Sequence, residues 1–383
     1  MGTGFGEAAR LLDEAVARGD FPGGVLRVSR SGETLFEHAA GWRSLEPSRA
    51  AMHADVVFDL SSLTKPLATT LALFALLRDG AVGLDHPAAR WLPGFAGRER
   101  GGVLVRHLLE HSSGLPAHRP FSTGVGAIEE AGRPGFAASG AARRWVLDVV
   151  QREPLEAPPG VRAVYSDLGF IALGEIVERA AGDRLDRVCT ARVFGPLGLD
   201  GLFFVDLDDG RHGPGRPGAP GACAPDGVEF ASTAYCPWRG RVLCGEVDDD
   251  NAYAMGGIAG HAGLFGRARD VDRLAGILER AGRGEHDFLP RAIVEAMWRP
   301  DAAVPGSTRT AGWDTPSPQR SSAGTRTSKR TVGHLGFTGT SLWIDLERRV
   351  SIVLLTNRVH PSRENDKLVA FRPRIHDLVM EAL

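Results

Sequence analysis

Phe58-Asp59-Leu60-Ser61-Ser62-Leu63-Thr64-Lys65-Pro66 is the stretch on which the reading of this 383-residue chain turns. A helix is predicted to begin near Ser62 and to run through Lys65, Leu67, Leu71, Phe74, Ala75 and Leu77. Gly80, after Asp79, is a natural stop for it. Helical spacing of three residues puts Ser62 and Lys65 on one face. A serine hydroxyl is a poor nucleophile until a neighbour takes its proton, and a buried lysine can do so if its pKa is lowered. A serine at a helix start also meets unpaired backbone N–H groups able to bind an oxyanion. The plainer reading is an N-cap serine followed by a surface lysine, which S-x-x-K alone fits in many proteins.

On the N-terminal side, residues 1–20 read as an amphipathic helix with Ala8, Leu11, Leu12, Ala15 and Val16 on one face. Residues 24–31 and 33–41 read as two strands joined at Ser31-Gly32. On the C-terminal side, residues 105–111, 143–152 and 167–181 are helical in pattern. Two loops are expected, one at 206–250 with its glycine- and proline-rich part at 208–227, the other at 299–330. Strands follow at 339–345 and 350–356, then a helix over 365–383. Strands at both ends with helices between predict one α/β (α+β) region, 1–95 with 265–383, built on an antiparallel sheet flanked by helices. A mainly helical region, 96–264, is inserted in it, and the active site is expected in the groove between them.

Composition narrows the function. A formal net charge of −2 gives no electrostatic reason to expect nucleic acid or an anionic membrane as partner. No apolar run approaches a membrane span, and the N-terminus has no basic leader before an apolar stretch, so a cytoplasmic protein without signal peptide is expected, a longer exported precursor aside. Cys189, Cys223, Cys236 and Cys244 lack C-x-x-C spacing; Cys236 and Cys244 are near enough to pair, but free thiols are expected. His107 and His111 stand at i and i+4, a spacing that can hold a metal, but no third ligand lies nearby. The acidic run 246–251 lacks the glycine and terminal glutamate of a calcium loop and reads as a solvated loop. His261 either lines the cleft or is structural, and Trp238 is a candidate wall of an acyl pocket.

Two further stretches carry chemistry. Val164-Tyr165-Ser166-Asp167 follows Pro158-Pro159-Gly160, and a tyrosine before a helix start can share a proton with Lys65; the alternative is a packed Tyr165 with Asp167 capping the helix. Gly333-His334-Leu335-Gly336-Phe337-Thr338-Gly339-Thr340 leads into a strand, and its glycines let a substrate approach the backbone. His334 can donate to a substrate carboxylate or carbonyl.

S-x-x-K, Y-S-D and H-L-G in this order resemble the serine β-lactamase and penicillin-recognising superfamily, in particular its class C-like branch of esterases, D,D-peptidases and D-aminopeptidases. The stretches 105–116, 256–265 and 354–357 are similar too, so the resemblance covers the chain from about Pro22 to the last helix. It implies a β-lactamase-like fold, Ser62 as the acylated nucleophile, Lys65 as its proton acceptor and Tyr165 as proton shuttle. It further implies substrate binding by Asp167, His334, Gly336 and Phe337, an oxyanion hole from the N–H groups of Ser62 and Phe337, and neither cofactor nor metal. Two departures matter. Asp167 replaces the usual asparagine and can only accept hydrogen bonds when ionised. His334-Leu335-Gly336 replaces K-T-G, removing a permanent positive charge. Both argue against an efficient β-lactamase and favour small esters or amides, with D-amino-acid peptides or weak β-lactam hydrolysis as the enzymatic rival. A non-catalytic binder of wall fragments or β-lactams is the alternative of another class. Oligomeric state is left open.

Overall fold

Ser31 and Gly32 both take left-handed backbone, with φ of 53° and 83°, and this closes a tight hairpin between β1 (Gly23–Arg30) and β2 (Glu33–Ser44). The computed structural model describes residues 4–208, 227–300 and 303–383. A short β3 (Ala50–Ala51) extends the hairpin, and the far end of the chain supplies β4 (Thr331–Leu335), β5 (Thr340–Asp345) and β6 (Val350–Thr356). All six form one antiparallel sheet in the order β3-β2-β1-β6-β5-β4, so Val25 of β1 stands opposite Leu355 of β6.

Strands β1, β5 and β6 are buried on both faces, and period-two alternation divides their residues between two cores. Leu26, Val28, Ile352 and Leu354 point to the outer face. There they meet Leu11, Leu12 and Ala15 of α1 (Gly6–Ala17) and, from the last helix, Phe371, Ile375 and Val379. Val25, Val353, Leu355, Leu342 and Ile344 point inward to the main core, shared with α2 (Leu71–Arg78), α3 (Asp167–Ala181) and α4 (Ala268–Gly282). The last helix is α5 (Leu368–Glu381), shorter than expected; Asn365, ahead of it, donates from its side chain to Asp20 O. Among the described residues no helix is long and apolar enough to cross a membrane.

Three local features differ from the expectation. The segment at Ser62 is not a continuous α-helix: Ser61–Leu63 is a tight 3-10 turn and Lys65–Thr70 a wide π turn, before α2 proper. Such wide turns are frequent at functional sites. β4 was not among the strands read from pattern, though the resemblance places His334 on a strand flanking the site; Gly333 is required in it because Trp343 of β5 lies over it, 2.3 Å from where a Cβ would sit. Of the first expected loop, 209–226 lies outside the described residues. The remainder forms a two-stranded hairpin, Tyr235–Cys236 with Arg241–Val242, and the short helix Asp250–Ala254. In the second loop, Asp314 doubles back to bridge Gly333 beside β4.

Candidate active site

The turn at Ser62 is stitched to two neighbours before it meets any ligand. A small sheet pairs Phe58–Asp59 with Leu264–Gly266, and Leu60 N–H donates to Leu264 O at 2.9 Å. On the other side the β4–β5 turn reaches over: Thr338 Oγ1 donates to Asp59 O at 2.7 Å and Thr340 Oγ1 to Leu60 O at 3.1 Å. Gly336 sits in this contact, where a Cβ would lie 2.6 Å from Leu60 O, so only glycine permits the approach. Asp59 lies beneath, accepting from the N–H groups of Ser61 (2.8 Å) and Asp248 (2.6 Å). Burial pushes its carboxyl up to about 7 against those two donors.

Lys65 is fully buried, and its ammonium is surrounded by hydrogen-bonding oxygens, the Tyr165 hydroxyl among them. It donates to Ser62 Oγ at 3.0 Å, to His261 O at 3.0 Å and to Asp167 Oδ1 at 2.8 Å. Burial alone would lower its pKa, but Asp167 and then Tyr165 outweigh this and hold it above the ordinary lysine value. The shift is upward, the opposite of the lowered pKa set out for Lys65 as resting base. Burial opposes ionisation of Asp167 as well, yet Lys65, His118 and His261 keep it well below the usual carboxylate range. Asp167 is thus engaged with Lys65, with His118 Nδ1 3.5 Å from its second oxygen. Nor does it cap its helix; Ser166 Oγ takes the Gly169 N–H at 3.2 Å.

Tyr165 is half-buried among four polar rings and cations. Its ring centroid lies 4.6 Å from His111 and 5.8 Å from His334, with Lys65 Nζ at 4.9 Å and Arg309 Cζ at 5.1 Å. His111, weighed above only as half of a metal pair, fixes this segment: its Nδ1 accepts from Ser166 N–H at 3.0 Å and its carbonyl from Val164 N–H at 2.8 Å. Burial, then Arg309 and Lys65, lowers its pKa well below the ordinary value, so the ring is neutral. His107 Nδ1 accepts from Leu104 N–H at 3.2 Å, closing the start of the short helix Val105–Leu109, which ends before His111.

At the third motif His334 is buried, and burial with Lys65 and Arg309 pushes its pKa down to about 3. The Nδ1 of the neutral ring donates to Leu335 O at 2.8 Å, which leaves Nε2 as a bare acceptor. His334 is therefore unable to donate to a substrate carboxylate from Nε2, contrary to expectation. Phe337 is half-exposed at the rim, and its N–H donates to Ser61 Oγ at 3.1 Å. Ser61 itself carries a left-handed φ of 50°, an unusual conformation for a residue with a Cβ, beside Ser62.

Arg309 brings back a charge near the position where the lysine of K-T-G is missing. It is tethered to Asp314 at 3.0 Å, on the segment that runs beside β4. Sequence gave no sign of it, because the segment has no periodicity to tie it to β4. The acidic run is neither a calcium loop nor solvated. Asp248 and Asp250 bind Arg363, Glu246 binds Arg241, and Asp249 caps a helix and faces His261 Nε2 at 3.0 Å. Trp238 packs edge-on against Tyr253 at 5.2 Å. Cys189, Cys236 and Cys244 are free thiols, and Cys223 lies outside the described residues.

Comparison with known proteins supplies the family. The family model described as Beta-lactamase matches residues 8–372. Esterase EstB of Burkholderia gladioli is 33% identical over 398 residues, covering 96% of this chain and 95% of the esterase. An N-acetylmuramyl-L-alanine amidase of Bacillus subtilis is 30% identical, over 92% of this chain and 80% of the amidase. The solved structure of EstCE1, a hydrolase with promiscuous acyltransferase activity, shares the fold at a TM-score of 0.72 and 23% identity, over 97% of this chain and 98% of that one. A match that runs through both halves of the sheet and the helices between them makes this chain a member of the serine β-lactamase and penicillin-binding superfamily, and a hydrolase within it.

Proposed function

We propose that this hydrolase cleaves carboxylic esters or small amides through an acyl-enzyme on Ser62. The observation that carries the reading is the hydrogen-bonded setting of the buried Lys65 ammonium, with Ser62 Oγ and the Tyr165 hydroxyl among its partners. A lysine this costly to bury fits a task at that oxygen better than a structural role, since removal of charge would satisfy packing more cheaply. In the proposed reaction Ser62 Oγ bonds to the carbonyl carbon while its proton passes to Tyr165. Tyr165 gives its own proton to the leaving oxygen or nitrogen, and the carbon–leaving-group bond breaks. Lys65 remains protonated and stabilises both oxygens as charge develops. Water then enters, loses a proton to Tyr165, and releases the acid, with the proton returning to Ser62. The N–H groups of Ser62 and Phe337 receive the oxyanion once the carbonyl oxygen takes the place of Ser61 Oγ.

The test is covalent labelling with a fluorophosphonate, peptide mapping, and turnover of p-nitrophenyl acetate and butyrate. Label on the peptide at Ser62 together with turnover of both esters is the expected result; label elsewhere would overturn the assignment. Label without ester turnover would favour a peptidase or acyl trap.

A second reading, D-amino-acid peptides, is favoured by Arg309, a guanidinium beside Tyr165 suited to a substrate carboxylate. Arg309→Ala is expected to leave p-nitrophenyl acetate turnover within about threefold. Hydrolysis of an acyl-D-alanyl-D-alanine should fall by about tenfold or more, the worth of one charge-assisted pair. Equal effects on both substrates would remove the carboxylate role.

A further inference from the structure

Arg372 of α5 is a buried guanidinium with no carboxylate partner among the described residues. Its Nη2 donates to Thr340 O at 2.9 Å and to Gly336 O at 3.3 Å, and its Nε has no hydrogen-bond partner. Burial, with Arg358 nearby, lowers its pKa to about 9, which still leaves it charged at neutral pH. Uncompensated buried charge is expensive, and here hydrogen-bond satisfaction does not explain it. Both carbonyls have other donors: Gly339 N–H reaches Gly336 O at 3.1 Å, and Gly336 N–H reaches Thr340 O at 2.8 Å.

The geometry of the peptide supplies a reason. Gly336 O and Phe337 N–H belong to one amide group, joined by resonance across the C–N bond. A cation at the oxygen draws electron density from the nitrogen and strengthens the N–H as a donor, as in any polarised hydrogen-bond chain. The chain runs from Arg372 through the Gly336–Phe337 peptide to Ser61 Oγ, next to Ser62.

We propose that Arg372 is a positioning residue of the oxyanion hole, polarising the Gly336–Phe337 peptide from behind so that Phe337 N–H binds the developing oxyanion more strongly. The proposal rests on the reading in which Ser62 attacks and Phe337 N–H receives the oxyanion. Arg358 Nε, donating to Phe337 O at 2.9 Å, fixes the following peptide and leaves the polarising role to Arg372.

The experiment uses the full chain with Arg372→Met, Arg372→Gln and Arg372→Lys. It measures kcat and KM for p-nitrophenyl acetate and butyrate, the rate of fluorophosphonate labelling, and the melting temperature. For Met and Gln, kcat is expected to fall by about tenfold, less than the loss of a whole oxyanion donor, with KM within about twofold. The same factor should appear for both esters and for labelling, and Lys should retain most of the activity. The melting temperature of the Met variant should equal or exceed that of the wild type, because an unpaired buried charge is gone. A structural role predicts the reverse, a fall in melting temperature with Lys no better than Met, and that result would overturn the proposal. So would unchanged kcat in both Met and Gln. Gln keeps a donor for Thr340 O and serves if Met does not fold. Turnover that survives Ser62→Ala would instead remove the Ser62 reading, separately from any Arg372 result.

Discussion

Ser62→Ala should lower kcat/KM for p-nitrophenyl esters by at least about 10⁴-fold and abolish fluorophosphonate labelling, as expected when a nucleophile that acts as one unit with its neighbours is removed. The protein should remain folded. Lys65 keeps His261 O and Asp167 as acceptors, and half-buried Ser62 leaves a space that water can reach. The neighbouring serine makes the test sharper. Ser61 is nearly buried, and its Oγ accepts from Phe337 N–H. Ser61→Ala is therefore expected to retain the label. Ester turnover should stay within about tenfold of wild type, since the hydroxyl given up is worth one ordinary hydrogen bond. Mass spectrometry of both intact variants after the probe decides it: label lost from Ser61→Ala and kept by Ser62→Ala would mean that the reactive serine was read one residue too late.

What the sequence made legible was carried by local pattern. The turn at Ser31-Gly32 needed left-handed backbone, and the near-continuous apolar run 350–356 needed a strand with two buried faces; both could be read from a few neighbouring residues. Asp167–Ala181 was likewise readable from helical spacing, with its left-handed glycine cap at Gly182. Order of motifs brought Ser62, Lys65, Tyr165 and His334 to one site, and the structure does bring them together. The charges around them were beyond that kind of reading. Whether Lys65 is a base or a cation depends on Asp167 lying 2.8 Å from its nitrogen, a contact across 102 residues that no periodicity encodes. Arg309 and Arg372 were missed for the same reason. One lies in a segment without pattern, and the other reads as an ordinary polar position on an amphipathic helix, until the turn at Gly336 is seen at its tip.

The Lys65–Asp167 pair carries the second large effect, and its pH dependence separates two roles for the lysine. Lys65→Met should reduce kcat/KM by about 10³-fold or more, since it removes charge at both reacting oxygens. It also strands a buried carboxylate. Breaking a buried pair from one side costs about 3–5 kcal/mol, and the low end applies because His118 stays near Asp167. In the wild type the Asp167 carboxyl is depressed, so its contribution to stability is full above the ordinary aspartate value and fades as pH falls. Lys65 is raised, so its contribution is full below the ordinary lysine value and is lost only at higher pH. Asp167→Asn removes the largest influence that raises Lys65, so Lys65 should shed its proton at lower pH than before. If Lys65 works as a cation, the alkaline limb of the kcat/KM profile should retreat by about one pH unit or more, with little gain at neutral pH. If Lys65 works as the base, the acid limb should move down instead, and activity near pH 7 should rise. A pH profile of wild type beside Asp167→Asn, on an ester without ionisable groups, measures which limb moves. The oxygens of Ser62, His261, Asp167 and Tyr165 around the ammonium favour the cation, because a lysine awaiting a proton from Ser62 would have no need of them all.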